Sequence, residues 1–522
     1  MKRRGSVTIF MILSLVFTMS LFFTMSEVVR YFCLKNTAGL LASSTAQSGM
    51  GDYNRLLYEK YGILAVDLGY GRATEDQGRF INRMMAYGSA GGSPTKGGGI
   101  FTHVNLWQLD PIGPVLSDTV LLTDHDGAAF KKEGSIQQAY DIPGDVLDMW
   151  QDAGQRAGAS ESSGALSGET ALNVTENSVY TVAKEKAKPK GGKSKPKSKD
   201  KSKDSKKSKD KDKKKTAAAS DSTEVSAEDV EVDAIDSVKE FKKKGVLAQV
   251  LDDGVSVSGK RMDTAGVPSR RVLNAGTGAK VSVSALDEVS YRLFLLERFG
   301  SFLDKKDREG LDYEVEYVIC GKDSDEENLR SVVKRLLLLR EVENMAALTK
   351  DSTRRHEAEA LAASVSAAVM APELEPVLTA AIMAAWAYVE SVLDVRLLLS
   401  GGKIGLIKRP ADWTSELATL PEYLDTSVMA KPVANGIDYK GCLYALMCIT
   451  GSHDLGLRPM DLMEAELHKN EDYVNVKIDN MLVEAKLDVT MTGVPVFFSM
   501  APLIAPSMTE YEFFEERWLS YL

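Results

Sequence analysis

The apolar stretch near the N-terminus constrains this chain more than any other part of it. Residues 7–25 are nineteen consecutive residues without a formal charge. As a helix they would be roughly 28 Å long, which matches the roughly 30 Å hydrocarbon core of a bilayer. Lys2, Arg3 and Arg4 come just before them, and basic flanks stay on the cytoplasmic side. The sequence therefore predicts a single-pass protein of the cell membrane, in contact with the lipid bilayer, with a cytoplasmic N-terminus and an extracytoplasmic body.

A cleaved secretory signal is the alternative interpretation of the same stretch. Such signals have an apolar core of about 7–15 residues followed by a small-residue cleavage site. Here the core is longer and Glu27-Val-Val-Arg30 follows it, so we predict an uncleaved signal anchor. Glu27 and Arg30 are three residues apart, which places them on one face of a helix. We expect them to form an ion pair at the level of the outer lipid headgroups.

Hydroxyl residues within the anchor allow two interpretations. Ser14 and Thr18 lie four residues apart, as do Ser20 and Thr24, so each pair shares one helix face. Another membrane helix could approach closely along such a face. Alternatively, each hydroxyl bonds to a carbonyl of the preceding turn.

Composition and periodicity divide the chain into five segments and predict an α+β fold. The basic tip and the transmembrane helix occupy 1–32, and an approximate helical period continues as a stalk helix over 33–61. Residues 62–156 predict a mixed α/β section. Residues 157–236 are poor in large apolar groups and predict a disordered linker. Residues 237–522 predict a mainly helical section that ends in a β-hairpin.

Hydrophobic periodicity and capping signals predict the individual elements. The string Ser324-Asp-Glu-Glu327 has capping-box spacing and predicts the start of a helix. The apolar stretch 377–389 is too short between its flanking charges to cross a membrane, so it predicts a buried core helix. Other helices are predicted at 131–150, 284–303, 354–370, 376–399, 439–449 and 459–469. Strands are predicted at 62–67, 119–122, 311–320, 482–491 and 494–499.

The predicted linker carries the chain's asymmetry in charge. Residues 184–215 contain seventeen lysines and five acidic residues, a local net charge of +12. Because the whole chain carries −10, the rest carries −22, the difference between the two values. The lysines have no interleaved aromatic residues and the predicted compartment is extracytoplasmic, so we expect no nucleic-acid partner. The segment is either a solvated linker or a binding segment for an anionic wall polymer or lipid headgroups.

Several strings in the chain are informative when taken together. They are Arg-Gly5-Ser-Val-Thr-Ile-Phe10, Glu27-Val-Val-Arg30, Tyr53-Asn-Arg-Leu-Leu-Tyr-Glu-Lys-Tyr61-Gly, Tyr313-Glu-Val-Glu-Tyr317, Glu327-Asn-Leu-Arg330, Ala384-Ala-Trp-Ala-Tyr-Val-Glu390 and Gly401-Gly-Lys403. With these strings the chain resembles an uncharacterised family of single-span envelope proteins of Gram-positive bacteria. That family is commonly encountered beside Tad-type pilus assembly proteins, and its N-terminus is similar to that of the TadE/TadG minor pseudopilins. The resemblance implies contacts with other pilus or envelope membrane proteins through the transmembrane helix.

The pseudopilin resemblance also implies a processing site. Prepilin-type signals have a short basic segment that ends in glycine and is cut before the apolar helix. Lys2-Arg-Arg-Gly5 followed by Ser6 resembles such a signal, which implies cleavage between Gly5 and Ser6. These signals commonly carry a glutamate five residues after the cut, where this chain has Phe10. This departure favours an unprocessed N-terminus.

The chain lacks the usual zinc and serine-hydrolase motifs, since no His-Glu-x-x-His, Cys-x-x-Cys or Gly-x-Ser-x-Gly string occurs. Thr123-Asp124-His125-Asp126-Gly127 could bind a cation, although a polar turn after a strand explains it more simply. Asp323-Ser-Asp325-Glu-Glu327 lacks the later glycine and glutamate of a calcium loop. Ser452-His453-Asp454 is too local to be a catalytic triad. We therefore assign no catalytic, metal or cofactor-binding residue and expect no cofactor.

The sequence thus predicts a non-enzymatic, membrane-anchored extracytoplasmic protein with a structural or accessory role. We expect a minor pseudopilin-like component of a Tad or type IV pilus-like assembly. Two other classes of function stay open. One is an envelope protein that binds cell-wall polymer through residues 184–215. The other is an envelope hydrolase, which would require a pocket where reactive groups converge.

Overall fold

A computed structural model describes residues 2–92, 109–137, 143–162, 237–238, 240–252, 254–368, 370–497 and 510–522. The chain forms two compact units. The sheet unit comprises Met1–Leu147, Val257–Leu329 and Leu443–Leu522, and the helical unit comprises Asp148–Ser256 and Arg330–Cys442. Helices predominate and one small antiparallel sheet accompanies them, so the predicted α+β class is confirmed.

The described residues form thirteen α-helices, besides a further helical segment at 240–242 and short 3₁₀ turns. The predicted continuation of the anchor into a stalk is confirmed as far as residue 50, where α1 ends. In chain order the helices are α1 Lys2–Met50, α2 Arg55–Tyr61, α3 Gln77–Gly92, α4 Asp124–Gln137, α5 Gly144–Ser162, α6 Val246–Val250, α7 Ala285–Arg298, α8 Glu314–Cys320, α9 Asp325–Lys350, α10 Ser352–Ala368, α11 Glu375–Leu399, α12 Tyr439–Cys448 and α13 Ser452–Leu467.

The sheet has four strands, β1 Val66–Asp67, β2 Asp110–Leu121, β3 Met481–Gly493 and β4 Tyr511–Ser520. All three other strands pair antiparallel with β3, with β2 along one edge and β1 and β4 along the other. The predicted antiparallel strand pair at the end of the section is confirmed, but its second strand is β4. The predicted partner at 494–499 is wrong where the structure describes it, because β3 ends at Gly493 and residues 494–497 are not a strand. Residues 498–499 lie outside the described part of the chain.

The second half of α1 packs on this sheet. Leu34, Ala38, Ala42 and Ala46 recur every four residues, so they form one face of the helix, and all four are buried. The first three contact Val489, Met491 and Phe513 of β3 and β4. Helix α3 lies against the end of α1, where a Cβ on Gly49 would come within 2.4 Å of Met84 Sδ. The second half of α1 is therefore part of the folded core of the sheet unit.

The strand predicted at 311–320 in the sheet unit is wrong. These residues do not form a strand, because α8 occupies Glu314–Cys320. Its alternating acids do not face solvent: Glu314 accepts the Gly300 N–H at 2.6 Å and Glu316 accepts the Phe302 N–H at 2.9 Å. Both carboxylates are buried acceptors for a neighbouring loop.

Helix α13 starts at Ser452, seven residues before the predicted start at Pro459. A proline inside a helix cannot donate to the carbonyl four residues earlier, which here is that of Leu455. The Tyr291 hydroxyl donates to the Leu455 carbonyl at 2.8 Å instead. A tertiary hydrogen bond therefore lets the helix run through Pro459. The predicted helix at 131–150 is likewise two helices, α4 and α5, with Pro143 just before the second.

Helix α11 is the core of the helical unit. It is buried from Ile382 to Leu399, which confirms the predicted buried core helix at 377–389. It carries Glu390 and Asp394 one turn apart, both fully buried. Lys408 donates to both carboxylates, and Arg340 of α9 donates to Asp394 at 2.9 Å. Burial alone would raise the pKa of Asp394, but Arg340 and Lys408 outweigh it and hold that pKa below its ordinary value.

The predicted start of α9 at Ser324 is confirmed. The Ser324 hydroxyl accepts the Glu327 N–H at 3.3 Å, which satisfies one of the free donors of the first turn. The predicted linker at 157–236 begins inside α5, which ends at Ser162, and its remaining residues lie outside the described part of the chain.

Candidate functional site

The first half of α1 presents apolar side chains in every direction. Between residues 7 and 25 the side chains are exposed, including Phe10 at 71% and Phe17 at 69%. A helix that is apolar all round belongs in a core or a membrane. Two helices among the described residues are long and apolar enough to cross a bilayer, the N-terminal one and the stretch Pro372–Leu399, whose apolar window is mostly buried in the protein. Gly5 and Ser6 lie in the helical backbone at the beginning of α1.

Hydroxyl groups of this half bond to the helix itself. The Thr18 hydroxyl donates to the Ser14 carbonyl at 3.0 Å, and that of Thr24 donates to the Ser20 carbonyl at 2.7 Å. These bonds are the local alternative considered for the two hydroxyl pairs.

A buried polar junction marks the point where α1 enters the sheet unit. Arg30 Nη1 lies 2.9 Å from Glu27 Oε1, and both side chains are buried. The same carboxylate accepts the Phe497 N–H at 2.8 Å and the Tyr511 hydroxyl at 3.1 Å. Burial and the nearby Glu27 raise the pKa of Tyr511 to about 12, so its hydroxyl stays a donor. Two of these donors come from outside α1 and therefore fix the helix to the sheet unit.

A separate cavity of about 450 Å³ lies in the sheet unit beside α4 and the start of α13. This volume is within the range of small-molecule sites. Its polar lining comes from α4, α13, α7 and the loop before α7, and comprises His125, Lys131, Lys280, Ser282, Glu288 and Ser452.

Lys131 and Ser452 are in direct contact at this cavity. Lys131 Nζ lies 2.7 Å from Ser452 Oγ and 3.0 Å from the Ser452 carbonyl oxygen. The lysine is 3% exposed, whereas Ser452 is exposed. Burial lowers the pKa of the Lys131 ammonium, and Glu288, with Oε1 3.9 Å from Nζ, only partly opposes this.

A left-handed turn holds α4 against α13 beside that contact. His125, Asp126 and Gly127 have φ values of 53°, 60° and 71°, and such a run is costly for residues with a side chain. A Cβ on Gly456 would lie 2.0 Å from the Asp126 carbonyl oxygen, so only glycine allows this approach. Asp126 Oδ1 also lies 2.8 Å from His453 Nδ1.

The structure thus brings together two strings that the sequence considers separately, the turn at residues 123–127 and Ser452-His453-Asp454. Sequence reasoning missed Lys131, which lies one turn beyond the first string. Asp325 belongs to the string that the sequence analysis compares with a calcium loop. Its carboxylate accepts the N–H groups of Asp312 and Tyr313, both at 3.0 Å, and so fixes a loop. In the part of the chain that the structure describes, no three His, Cys, Asp or Glu side chains gather in a way that would hold a metal ion.

The fold and these sites define an α+β protein with an exposed apolar N-terminal helix. The model of a protein family of unknown function, DUF5702, matches residues 224–493. Because the match covers just over half of the chain, the chain belongs to this family. The match ends at the last residue of β3 and includes neither α1 nor β4. No curated protein and no solved structure matches the chain.

Proposed function

We propose that this protein is a membrane-anchored extracytoplasmic component of an envelope assembly, a minor pseudopilin-like or accessory subunit of a Tad or type IV pilus-like machine. The observation that carries the proposal is α1, a single helix whose first half exposes apolar side chains and whose second half packs on the sheet. The first half is available to lipid or to the apolar helices of other subunits.

The junction at Glu27 supports a mechanical role for this helix. Its carboxylate accepts bonds from Arg30 in α1 and from Phe497 and Tyr511 in the sheet unit. A flexible tether would need no such bonds. A buried charged network resists rotation of the helix against the sheet, so a displacement of the helix along the membrane normal would move the sheet unit with it.

The orientation follows from charge. Lys2, Arg3 and Arg4 precede the apolar half of α1, and the positive-inside tendency retains them in the cytoplasm. The sheet unit and the helical unit then lie on the extracytoplasmic side, and Glu27 with Arg30 lies near the outer headgroups.

N-terminal mass spectrometry of the membrane-extracted protein tests the anchor. An intact or Met-trimmed start is expected for an uncleaved anchor. A start at Ser6 would mean prepilin-type processing, which still places the helix in an assembly. A start beyond residue 26 would mean secretion and would overturn the proposal.

A matched pair of variants tests the assembly role in the host. Val16→Arg places a charge in the middle of the apolar half, which costs about 3 kcal/mol for membrane insertion, whereas Val16→Leu keeps it apolar. Surface fibres and adhesion should be lost in a gene deletion and in Val16→Arg, and retained in Val16→Leu. Normal fibres in the deletion strain would contradict the proposal.

A wall-binding role is the second candidate, and it is carried by the local net charge of +12 at residues 184–215. Binding to purified wall polymer should then weaken steeply with added salt, because the attraction is screened. Deletion of 184–215 with unchanged binding would remove this candidate.

A further inference from the structure

The ammonium group of Lys131 lies in an environment that disfavours a positive charge. This group is buried, and the carboxylate that pairs with it, that of Glu288, lies 3.9 Å away. Its close bonds at 2.7 and 3.0 Å go to the two neutral oxygens of Ser452. A buried cation is normally stabilised by an opposite charge in contact. Neutral acceptors replace that charge here.

The position of Ser452 adds to this cost. Ser452 is the first residue of α13, and the N-terminus of a helix carries partial positive charge. A second positive charge is disfavoured there, so the helix favours the neutral amine of Lys131. The groups around the amine are Asp126 of the left-handed turn, Lys280 of the loop, and Glu288 and Arg292 of α7. The two acids oppose the two bases, so burial decides the direction.

We propose that Ser452 is a nucleophile and Lys131 its general base, in a site that transfers the acyl group of a small ester or amide bound in the cavity between α4 and α13. The contact of 2.7 Å between Oγ and Nζ is within the range expected for a nucleophile and its base. The serine is exposed while the lysine is buried, so substrate and a hydrolytic water reach Oγ while bulk solvent is kept from Nζ. This activity goes beyond the assembly role of α1, and it departs from the expectation that the chain is not an enzyme.

The chemistry balances with these two side chains and water. Ser452 Oγ forms a bond to the carbonyl carbon, and its proton passes to the neutral amine of Lys131. The tetrahedral intermediate collapses with loss of the alcohol or amine, which takes that proton from Lys131. Water then attacks the acyl-serine and gives a proton to Lys131, the bond from the acyl carbon to Oγ breaks, and Oγ regains the proton.

The start of α13 also supplies charge stabilisation. The first N–H groups of a helix have no acceptor inside it, and those of His453 and Asp454 follow the nucleophile directly. They could stabilise the negative oxygen of the tetrahedral intermediate. Val281 and Val283 give the cavity an apolar wall, which suits the apolar part of a small acyl group. Lys280 at the same cavity suits an anionic substituent.

A fluorophosphonate probe, which modifies nucleophilic serines, tests the site on the full-length protein in detergent. We expect labelling at Ser452, located by peptide mass spectrometry and absent in Ser452→Ala. Ser44→Ala is the matched control, because Ser44 is also an exposed serine of a helix. The labelling rate should rise with pH and level off below the ordinary lysine pKa of 10.5.

Lysine variants separate a catalytic role from a structural one. Lys131→Met and Lys131→Arg should each lower the labelling rate at Ser452 about 100-fold or more, the usual size of a general-base contribution. The arginine variant retains donors for Ser452 but stays protonated. Lys132→Met is the control, because the neighbouring Lys132 pairs with Asp287 at 3.0 Å instead. Thermal unfolding shows which variants fold.

Three results would overturn the proposal. They are a wild-type protein that is not labelled at Ser452, labelling that is equally fast in a folded Lys131→Met or Lys131→Arg variant, and a rate that does not change between pH 6 and 10. The last measurement needs only the wild-type chain, so it decides the matter even where neither lysine variant folds.

Discussion

Two clusters of buried charge, one in each unit, are matched in different ways. In the helical unit, Lys408 lies between the carboxylates of Glu390 and Asp394, so charge meets charge. On α4 in the sheet unit, Lys131 bonds to the oxygens of Ser452, and Glu133 accepts the Leu64 N–H at 2.5 Å. Here the closest partners are neutral dipoles, and the carboxylate that pairs with Lys131, that of Glu288, lies 3.9 Å away. An opposite charge in contact favours the ionised form of a buried group, whereas burial beside neutral dipoles favours its neutral form.

This difference distinguishes the cluster around Lys408 from the site that we propose at Ser452. The pKa of Asp394 is held low, whereas burial raises the pKa of Glu133 to about 8, against the opposing Leu64 N–H. Burial also lowers the pKa of Lys131. On α4 an acid and a base two residues apart are thus both shifted toward neutrality, and of the two it is Lys131 that lines the cavity with Ser452.

Removing a charge from the helical unit should have the largest effect. Asp394→Asn leaves Arg340 and Lys408 without their shared partner, and such a loss costs about 3–5 kcal/mol. Chemical or thermal unfolding of the full chain measures it. Glu359→Gln is the control, since Glu359 forms a part-exposed pair with Arg355 at 3.3 Å, worth about 0.5 kcal/mol or less. Equal losses in both variants would contradict the comparison.

Glu133→Gln should have a large effect that depends on pH. In the folded chain the pKa of Glu133 is about 8, against 4.5 for an ordinary glutamate. Between these values the unfolded state binds fewer protons, so the free energy of unfolding of the wild type falls as pH rises. Between pH 5 and pH 9 the fall amounts to about 4 kcal/mol, because the slope approaches about 1.4 kcal/mol per pH unit only where pH lies between the two pKa values. Unfolding at pH 5 and pH 9 should show a growing advantage of the variant, and an unchanged difference would refute the assignment.

Tyr511→Phe tests Glu27, an acid of the sheet unit that has a charged partner, Arg30. The variant removes one donor from Glu27, while Arg30 and the Phe497 N–H remain. A bond to a charged group contributes about 1.5–3 kcal/mol, and we expect the low end because two donors are left. Tyr58→Phe at an exposed tyrosine is the control. Thermal unfolding should distinguish the two, and identical midpoints would mean that the junction contributes little.

Lys131→Met should have the smallest effect on stability, within about 1 kcal/mol at neutral pH, whereas Lys408→Met should cost about 3–5 kcal/mol. The folded state binds the Lys131 proton less tightly than the unfolded state. Wild-type stability should therefore rise relative to Lys131→Met as pH increases through the lowered pKa toward the ordinary 10.5. A loss at neutral pH as large as that of Lys408→Met would mean that Lys131 is a structural cation.

Local patterns in the sequence predict much of this fold. The uncharged run at residues 7–25 predicts the first half of α1, the capping string at Ser324 predicts the start of α9, and the flanking charges of 377–389 predict a buried α11. Each of these structures depends on residues close together in the chain. Hydrophobic periodicity and capping residues are therefore enough to predict it.

The errors come from partners that are distant in sequence. The Tyr291 hydroxyl that donates to the Leu455 carbonyl, next to Pro459 in α13, comes from another helix. The loop N–H groups that donate to Glu314 and Glu316 lie 14 residues away in the chain. Ser452 and Lys131 are separated by 321 positions. Neither residue belongs to a motif that points to the other, so only the fold reveals the candidate site.

The sheet unit joins the start of the chain to its last strand, and this has a consequence for synthesis. Arg517 of β4 donates to the Ser43 hydroxyl at 2.8 Å, and Phe513 covers the face of α1 that holds Leu34 and Ala38. A ribosome adds about 5–20 residues per second, so α1 emerges tens of seconds before β4 exists. During that interval the apolar face of α1 has no finished sheet to rest on, and it is open to a chaperone or to the strand of another molecule.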